Sequence, residues 1–187
     1  MALLYPRRTV GREHVPKDGA LLICSNHSHA LDPFILAYSI GWRNQIYIMA
    51  KVELFRFPVL GALLRALEVF PVERGTGGVS ALKGAIRFLR AEKKVLMFPE
   101  GTRVKDETNT NAKTGAVRIA VQTGAPILPI YIPRRKRLFR FNRVVIGKPY
   151  TIDLDKKTAN QTDYEQLTIE MMQTINQLGK STRKHKR

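Results

Sequence analysis

Ala20-Leu21-Leu22-Ile23-Cys24-Ser25-Asn26-His27-Ser28-His29-Ala30-Leu31-Asp32-Pro33 runs from an unbroken apolar stretch, through a polar loop, to a helix-start signal. Residues 20–24 are continuously apolar, as expected of a strand covered on both faces. Asp32-Pro33 predicts a helix with Asp at N-cap and Pro at N1. A five-residue offset does not align His27 and Asp32 along a regular helix. The two can still meet if the histidine sits on the loop and the carboxylate on the cap. Asp32 would then hold the imidazole in one tautomer and leave its other nitrogen to take a proton. A lone histidine in a strand-to-helix loop is more often structural than catalytic, and Asp before Pro is a common cap, so the segment by itself does not establish catalysis. A metal reading would use His27, His29 and Asp32, but no fourth ligand stands out.

Further apolar runs predict strands at Gln45–Ala50, Val69–Val72, Val95–Phe98, Ile127–Ile132 and Val144–Ile146. Helical patterns fall between them at Pro33–Ile40, Val52–Leu67, Val79–Ala91 and Thr114–Thr123. Strands alternating with helices predict a single layered α/β domain with a largely parallel or mixed central sheet flanked by helices. Near the C-terminus, Thr162-Asp163-Tyr164-Glu165 reads as a capping box. Leu167, Met171, Ile175 and Leu178 then share one face, and Gly179 reads as the C′ residue. The domain is accordingly placed at residues 1–179, with 180–187 a basic tail expected to be disordered. Gly75-Thr76-Gly77-Gly78 is neither a P-loop nor a dinucleotide fingerprint, so no nucleotide is assigned to it.

At 187 residues and 44% hydrophobic content, the chain has the length and composition for one folded core. Its single cysteine, Cys24, excludes an intrachain disulfide and reads as a small buried hydrophobe. No apolar run approaches the roughly 18–20 residues needed to span a bilayer, and Tyr5-Pro6-Arg7-Arg8 interrupts any secretory apolar region. A soluble or peripheral protein is expected.

The net charge of +17 calls for an anionic partner or surface. Residues 134–148 carry seven Lys or Arg side chains and no acid. Arg134, Arg135, Lys136 and Arg137 with Phe139 read as a membrane-binding patch, cations meeting headgroups and the aromatic entering the acyl boundary. Stacking on single-stranded nucleic acid, or an ordinary solvated loop, fits the same pattern.

Two more strand ends carry chemistry. Phe98-Pro99-Glu100-Gly101-Thr102-Arg103 follows an apolar strand and turns at the carboxyl edge of the sheet, where α/β proteins place ligands. Arg103 offers a bidentate fork for phosphate, and Gly101 permits close backbone approach. Phe70-Pro71-Val72-Glu73-Arg74 likewise ends a strand in an arginine, and Ala125-Pro126-Ile127-Leu128-Pro129-Ile130 is a proline-flanked strand entry. Two strand-end arginines and one candidate base suit an anionic substrate with a hydroxyl to be activated.

In order and spacing, His27-x4-Asp32, Phe70–Arg74, Phe98–Arg103 and Ile127–Ile130 resemble the glycerolipid acyltransferases, the family with the HxxxxD motif. Within it they look most like the bacterial 1-acyl-sn-glycerol-3-phosphate acyltransferases. Gly11–Gly19 and Ala50–Phe55 add to the resemblance, which runs from about Gly11 to Pro149. It implies acyl transfer from acyl-CoA or acyl-carrier protein to the sn-2 hydroxyl of lysophosphatidic acid, forming phosphatidic acid, with no cofactor or metal; another lysophospholipid acceptor is the alternative, since the four blocks do not fix the headgroup. His27 would be the general base and Asp32 the group that orients and polarises it. Arg74 and Arg103 would bind the phosphate, Glu100, Gly101 and Thr102 would shape that pocket, and Lys51 and Lys113 are further phosphate candidates. Backbone amides near Gly101 are an oxyanion candidate, and His29 receives no role. The resemblance also implies a peripheral place on the cytoplasmic face of the cell membrane, with no nucleic-acid partner. Family members commonly begin with a membrane-associated helical segment, and only about ten residues precede the matching region here. Phe57–Leu64 could face the core, an acyl-chain tunnel or the bilayer, and the core is taken as the safest single choice.

Overall fold

The computed structural model describes residues 7–41, 44–56, 58, 69–72, 79–104, 112–136, 142–155 and 157–181. Its strands are β1 (Arg7–Val10), β2 (Leu21–Ser25), β3 (Ile46–Lys51), β4 (Val69–Val72), β5 (Lys94–Met97), β6 (Ile127–Tyr131) and β7 (Asn142–Ile146). Among the described residues the α-helices are α1 (Asp32–Ile40), α2 (Val79–Arg90), α3 (Gly115–Thr123) and α4 (Gln161–Ser181). They flank one seven-stranded sheet of order β1-β7-β6-β2-β5-β3-β4. Every neighbouring pair is parallel except β6 with β7, so the sheet is mixed, as expected.

The period-two geometry of β2 divides the core. Leu21 and Ile23 face one side with Ile35, Leu36 and Ile40 of α1, while Leu22 and Cys24 face the other with Ala85, Leu89, Val117, Met171 and Ile175. Leu21, Leu22, Ile23 and Cys24 are all fully buried. This is why the run shows no polar alternation: helices cover both faces of its strand. Each such leucine or isoleucine contributes about 1.5–3 kcal/mol relative to exposure.

Handedness explains the distribution of helices. From β2 the chain steps over β5 to β3, and from β5 it steps back over β2 to β6. Right-handed crossovers in opposite directions must use opposite faces, so α1 covers one face and α3 the other. The reversal at β2 and β5 is a switch point, and the loops leaving β2, β5 and β6 emerge at one edge.

Several local readings are corrected. Asp32 is the first residue of α1 and Leu31 is its N-cap, so the carboxylate does not cap the helix. Of the expected helix over Val52–Leu67, Val52–Arg56 form a 3-10 turn. Pro58 is exposed, and the rest of Phe57–Leu64 lies outside the described residues. The capping box of α4 is Asn160 with Asp163, whose side chains each accept the other's backbone N–H at 3.0 and 2.9 Å. Gly179 does not end α4, which continues through Lys180 to Ser181. A Cβ at Gly179 would lie 2.5 Å from the Tyr131 ring, so the glycine serves close packing of helix on sheet. The expected tail is therefore helical at 180–181, and 182–187 lie outside the described residues. Strand β1, pairing with β7, was not foreseen.

Candidate active site

At the carboxyl edge, Asn26 extends the β2–β6 pairing by one side chain. Its Nδ2 donates to the Ile132 carbonyl at 2.8 Å, and the Ile132 N–H donates to its Oδ1 at 2.9 Å. This buried amide clasp fixes the residue before His27. The His27 N–H then donates to Glu100 Oε2 at 2.8 Å, and its carbonyl accepts the Val104 N–H at 2.8 Å. The imidazole stacks on Phe98, with ring centroids 4.1 Å apart. Backbone and ring are both held, yet the side chain stays 17% exposed.

His27 Nδ1 lies 3.0 Å from Asp32 Oδ2. The same oxygen accepts the N–H groups of Ser28 at 2.7 Å and His29 at 2.8 Å. Asp32 therefore folds the loop back onto itself in place of capping forward. Burial raises its pKa, but the His27 hydrogen bond, the nearby Lys136 charge and the Ser28 amide outweigh burial and hold the carboxyl below its ordinary value. An ionised Asp32 accepts a proton-bearing Nδ1, leaving Nε2 as the lone-pair nitrogen. That is the arrangement of a general base with its orienting carboxylate.

Glu100 supports this loop from β5. Its second oxygen accepts Arg134 Nη2 at 2.5 Å, and Arg134 Nη1 donates to the Val104 carbonyl at 2.8 Å. Both carboxylate oxygens are thus engaged within the protein, and Glu100 shapes the site from behind. Arg134 and Lys136 correct the membrane-patch reading. Both side chains are 4% exposed and each pairs with a buried acid, Arg134 with Glu100 and Lys136 with Asp32. Arg135 alone of the described residues in that patch is exposed, and Arg137 and Phe139 lie outside the described residues.

The remaining candidates lie around the rim. Gly101, at φ 65°, sits in a turn where its N–H donates to the Phe98 carbonyl at 2.9 Å, so that amide is already used and does not serve an oxyanion. Lys113 crosses the open side of this glycine, 3.3 Å from where a Cβ would stand, and its own N–H donates to the Pro99 carbonyl. Thr102, Arg103 and Lys113 are exposed. Lys51 ends β3 beside Val72 of β4, placing its backbone at the same edge. Arg74 lies outside the described residues. Sequence reasoning missed Asn26 as a site residue and placed Arg134 and Lys136 at the membrane surface instead of behind His27. An asparagine directly after a buried strand was the available signal for the first; for the cations, charge alone gave no way to separate inward from outward.

Residues 7–133 match the family model described as Acyltransferase. The 1-acyl-sn-glycerol-3-phosphate acyltransferase of Bacillus subtilis (strain 168) is 33% identical over 147 residues, which cover 76% of this chain and 72% of that protein. The enzyme of the same name from Borreliella burgdorferi is 31% identical over 131 residues, covering 69% of this chain and 52% of the relative. Among solved structures, the 1-acyl-sn-glycerophosphate (LPA) acyltransferase PlsC of Thermotoga maritima superposes with a TM-score of 0.69 at 25% identity, covering 91% of this chain and 71% of that one.

Proposed function

The chain belongs to the acyltransferase family, and on that premise we propose that it acylates the sn-2 hydroxyl of lysophosphatidic acid from an acyl thioester, forming phosphatidic acid. The observation carrying this reading is the His27–Asp32 contact of 3.0 Å at the carboxyl edge of the sheet. Nε2 of His27 takes the proton of the substrate hydroxyl, and the alkoxide attacks the thioester carbonyl. The new C–O bond forms, the C–S bond breaks, and the thiolate recovers the proton from the imidazolium. Substrate supplies the hydroxyl, so no acyl-enzyme forms, and the proposed steps call on no cofactor or metal. General-base assistance contributes about 10²–10⁴ in rate; positioning of the two substrates supplies much of the rest.

Arg103 and Lys113 bind the phosphate from the rim, with Lys51 and Arg74 as further ligands of the same anion. Gly101 and Thr102 form the turn that lets the headgroup approach. The donor is acyl-CoA or acyl-carrier protein. No helix among the described residues is long and apolar enough to cross a membrane. The enzyme works peripherally on the cytoplasmic face, meeting its lipid substrate at an anionic surface. An acyl-transfer assay offering lysophosphatidate with each donor, beside His27→Ala, tests the reading. Phosphatidate formation by the unsubstituted protein and its loss in the variant are expected. Equal rates on an acceptor with a neutral headgroup would sink the phosphate assignment.

A further inference from the structure

Lys136 stands on the far side of the Asp32 carboxylate from the imidazole contact. Its Nζ lies 2.6 Å from Oδ1, while His27 uses Oδ2. The same ammonium donates to Ser28 Oγ at 2.7 Å and to the Pro133 carbonyl at 2.9 Å, so two hydrogen bonds hold it in place while its contact with Oδ1 is an ion pair. Lysine ordinarily keeps its charged end in water. Here the side chain is 4% exposed and the carboxylate beside it 0%.

Orientation alone does not explain this arrangement. Asp32 Oδ2 is already fixed by two backbone N–H groups and by His27. What those donors lack is a full positive charge. A buried carboxylate with no counter-charge favours the imidazolium, and an imidazolium cannot act as a base. We infer that Lys136 is a positioning residue for acyl transfer, holding Oδ1 of Asp32 and offsetting its charge so that His27 remains the neutral base while still being oriented.

This inference rests on the acyl-transfer reading. Among the described residues, Asp32 is faced by His27 and the Ser28 and His29 amides from the loop after β2, and by Lys136 from the loop after β6. Lys136 feels Asp32 and, in opposition, Arg134. Glu100 reaches the His27 backbone from the loop after β5 and is itself paired with Arg134. Burial lowers the Lys136 pKa more than Asp32 raises it, as for an ammonium drawn into the protein by a single carboxylate.

The test is the pH dependence of kcat/KM for Lys136→Met, Lys136→Gln and Lys136→Arg, each checked for folding by circular dichroism. The charge-free variants should move the acidic limb upward by about one pH unit, a roughly tenfold loss below it, and the arginine variant should leave the limb in place. An unmoved limb in a folded Met or Gln variant overturns the inference and reduces Lys136 to a structural contact. If no substitution folds, nitrogen-detected NMR of the unsubstituted protein decides. A Lys136 ammonium signal protected from solvent exchange is required, and one exchanging like surface lysines overturns the pairing. Absence of any transfer by the unsubstituted protein would instead sink the functional reading, leaving the NMR measurement to judge the pair.

Discussion

Two sets of charges meet at the carboxyl edge of the sheet and are used in opposite ways. Behind the loop, Asp32 with Lys136 and Glu100 with Arg134 are buried and matched cation to acid. Around the rim, Arg103, Lys113 and Arg135 are exposed. The inner set holds His27 in place, whereas the outer set offers charge to something outside. Arg134, Arg135 and Lys136 are consecutive, yet the middle one turns out while its neighbours turn in. Proximity in sequence therefore says little about which set a cation joins. What decides is whether an acid waits inside.

The sharpest break between the two sets is at His27. His27→Ala should lower turnover by at least about 10²–10⁴ while leaving the circular dichroism spectrum unchanged, because the ring is partly exposed and its neighbours are held through backbone groups. Substantial turnover in the variant would remove the base from the mechanism. Next comes Glu100→Ala, which leaves the Arg134 guanidinium buried without a counter-charge. Its expected cost is about 3 kcal/mol in urea denaturation, partly recovered by Arg134→Leu in the same chain. A strictly additive double variant would mean the pair is not coupled.

At the rim, effects should appear in binding rather than in folding. Arg103→Ala should raise KM for lysophosphatidate about tenfold with donor KM unchanged; a change confined to the donor would move the phosphate site elsewhere. The smallest effect is expected for Arg135→Ser, a modest and salt-sensitive loss of sedimentation with anionic vesicles. A loss that persists in high salt would contradict a purely electrostatic contact.

Acid separates the sets in another way. The folded-state pKa of Asp32 is lowered, so between that value and the ordinary carboxylate value of about 3.9 the unfolded chain binds more protons. The stability Asp32 contributes is complete above this window and drains as pH falls through it. The gap in urea midpoint between the unsubstituted protein and Asp32→Asn should therefore narrow in acid. A gap that stays constant would show that the lowered pKa makes no contribution to folding.

Much of the fold was readable in the sequence because helix-covered strands write long apolar runs, and 20–24, 45–50 and 127–132 are such runs. β1 escaped because Arg7-Arg8-Thr9-Val10 sits at the sheet edge, where burial imposes little pattern. The spacing of His27 and Asp32 suggested their meeting, but the cap that seemed to produce it does not exist. The carboxylate is held by amides behind it, a backward turn that Asp-Pro does not announce. Gly179 misled for a similar reason: a glycine at a helix end and a glycine under an aromatic ring look identical until the ring is in place.

Cys24 is the fourth of the five residues of the strand that delivers His27, with no exposure, and burial pushes its thiol up and away from reactivity. Because it is the one cysteine in the chain, the protein carries a built-in chemical clock. The rate at which a thiol reagent reaches it reports how often the central strand opens. Any substitution at the carboxyl edge can thus be sorted without an activity assay. A variant that silences catalysis while the thiol stays unreactive has lost chemistry, and one whose thiol reacts quickly has lost the sheet.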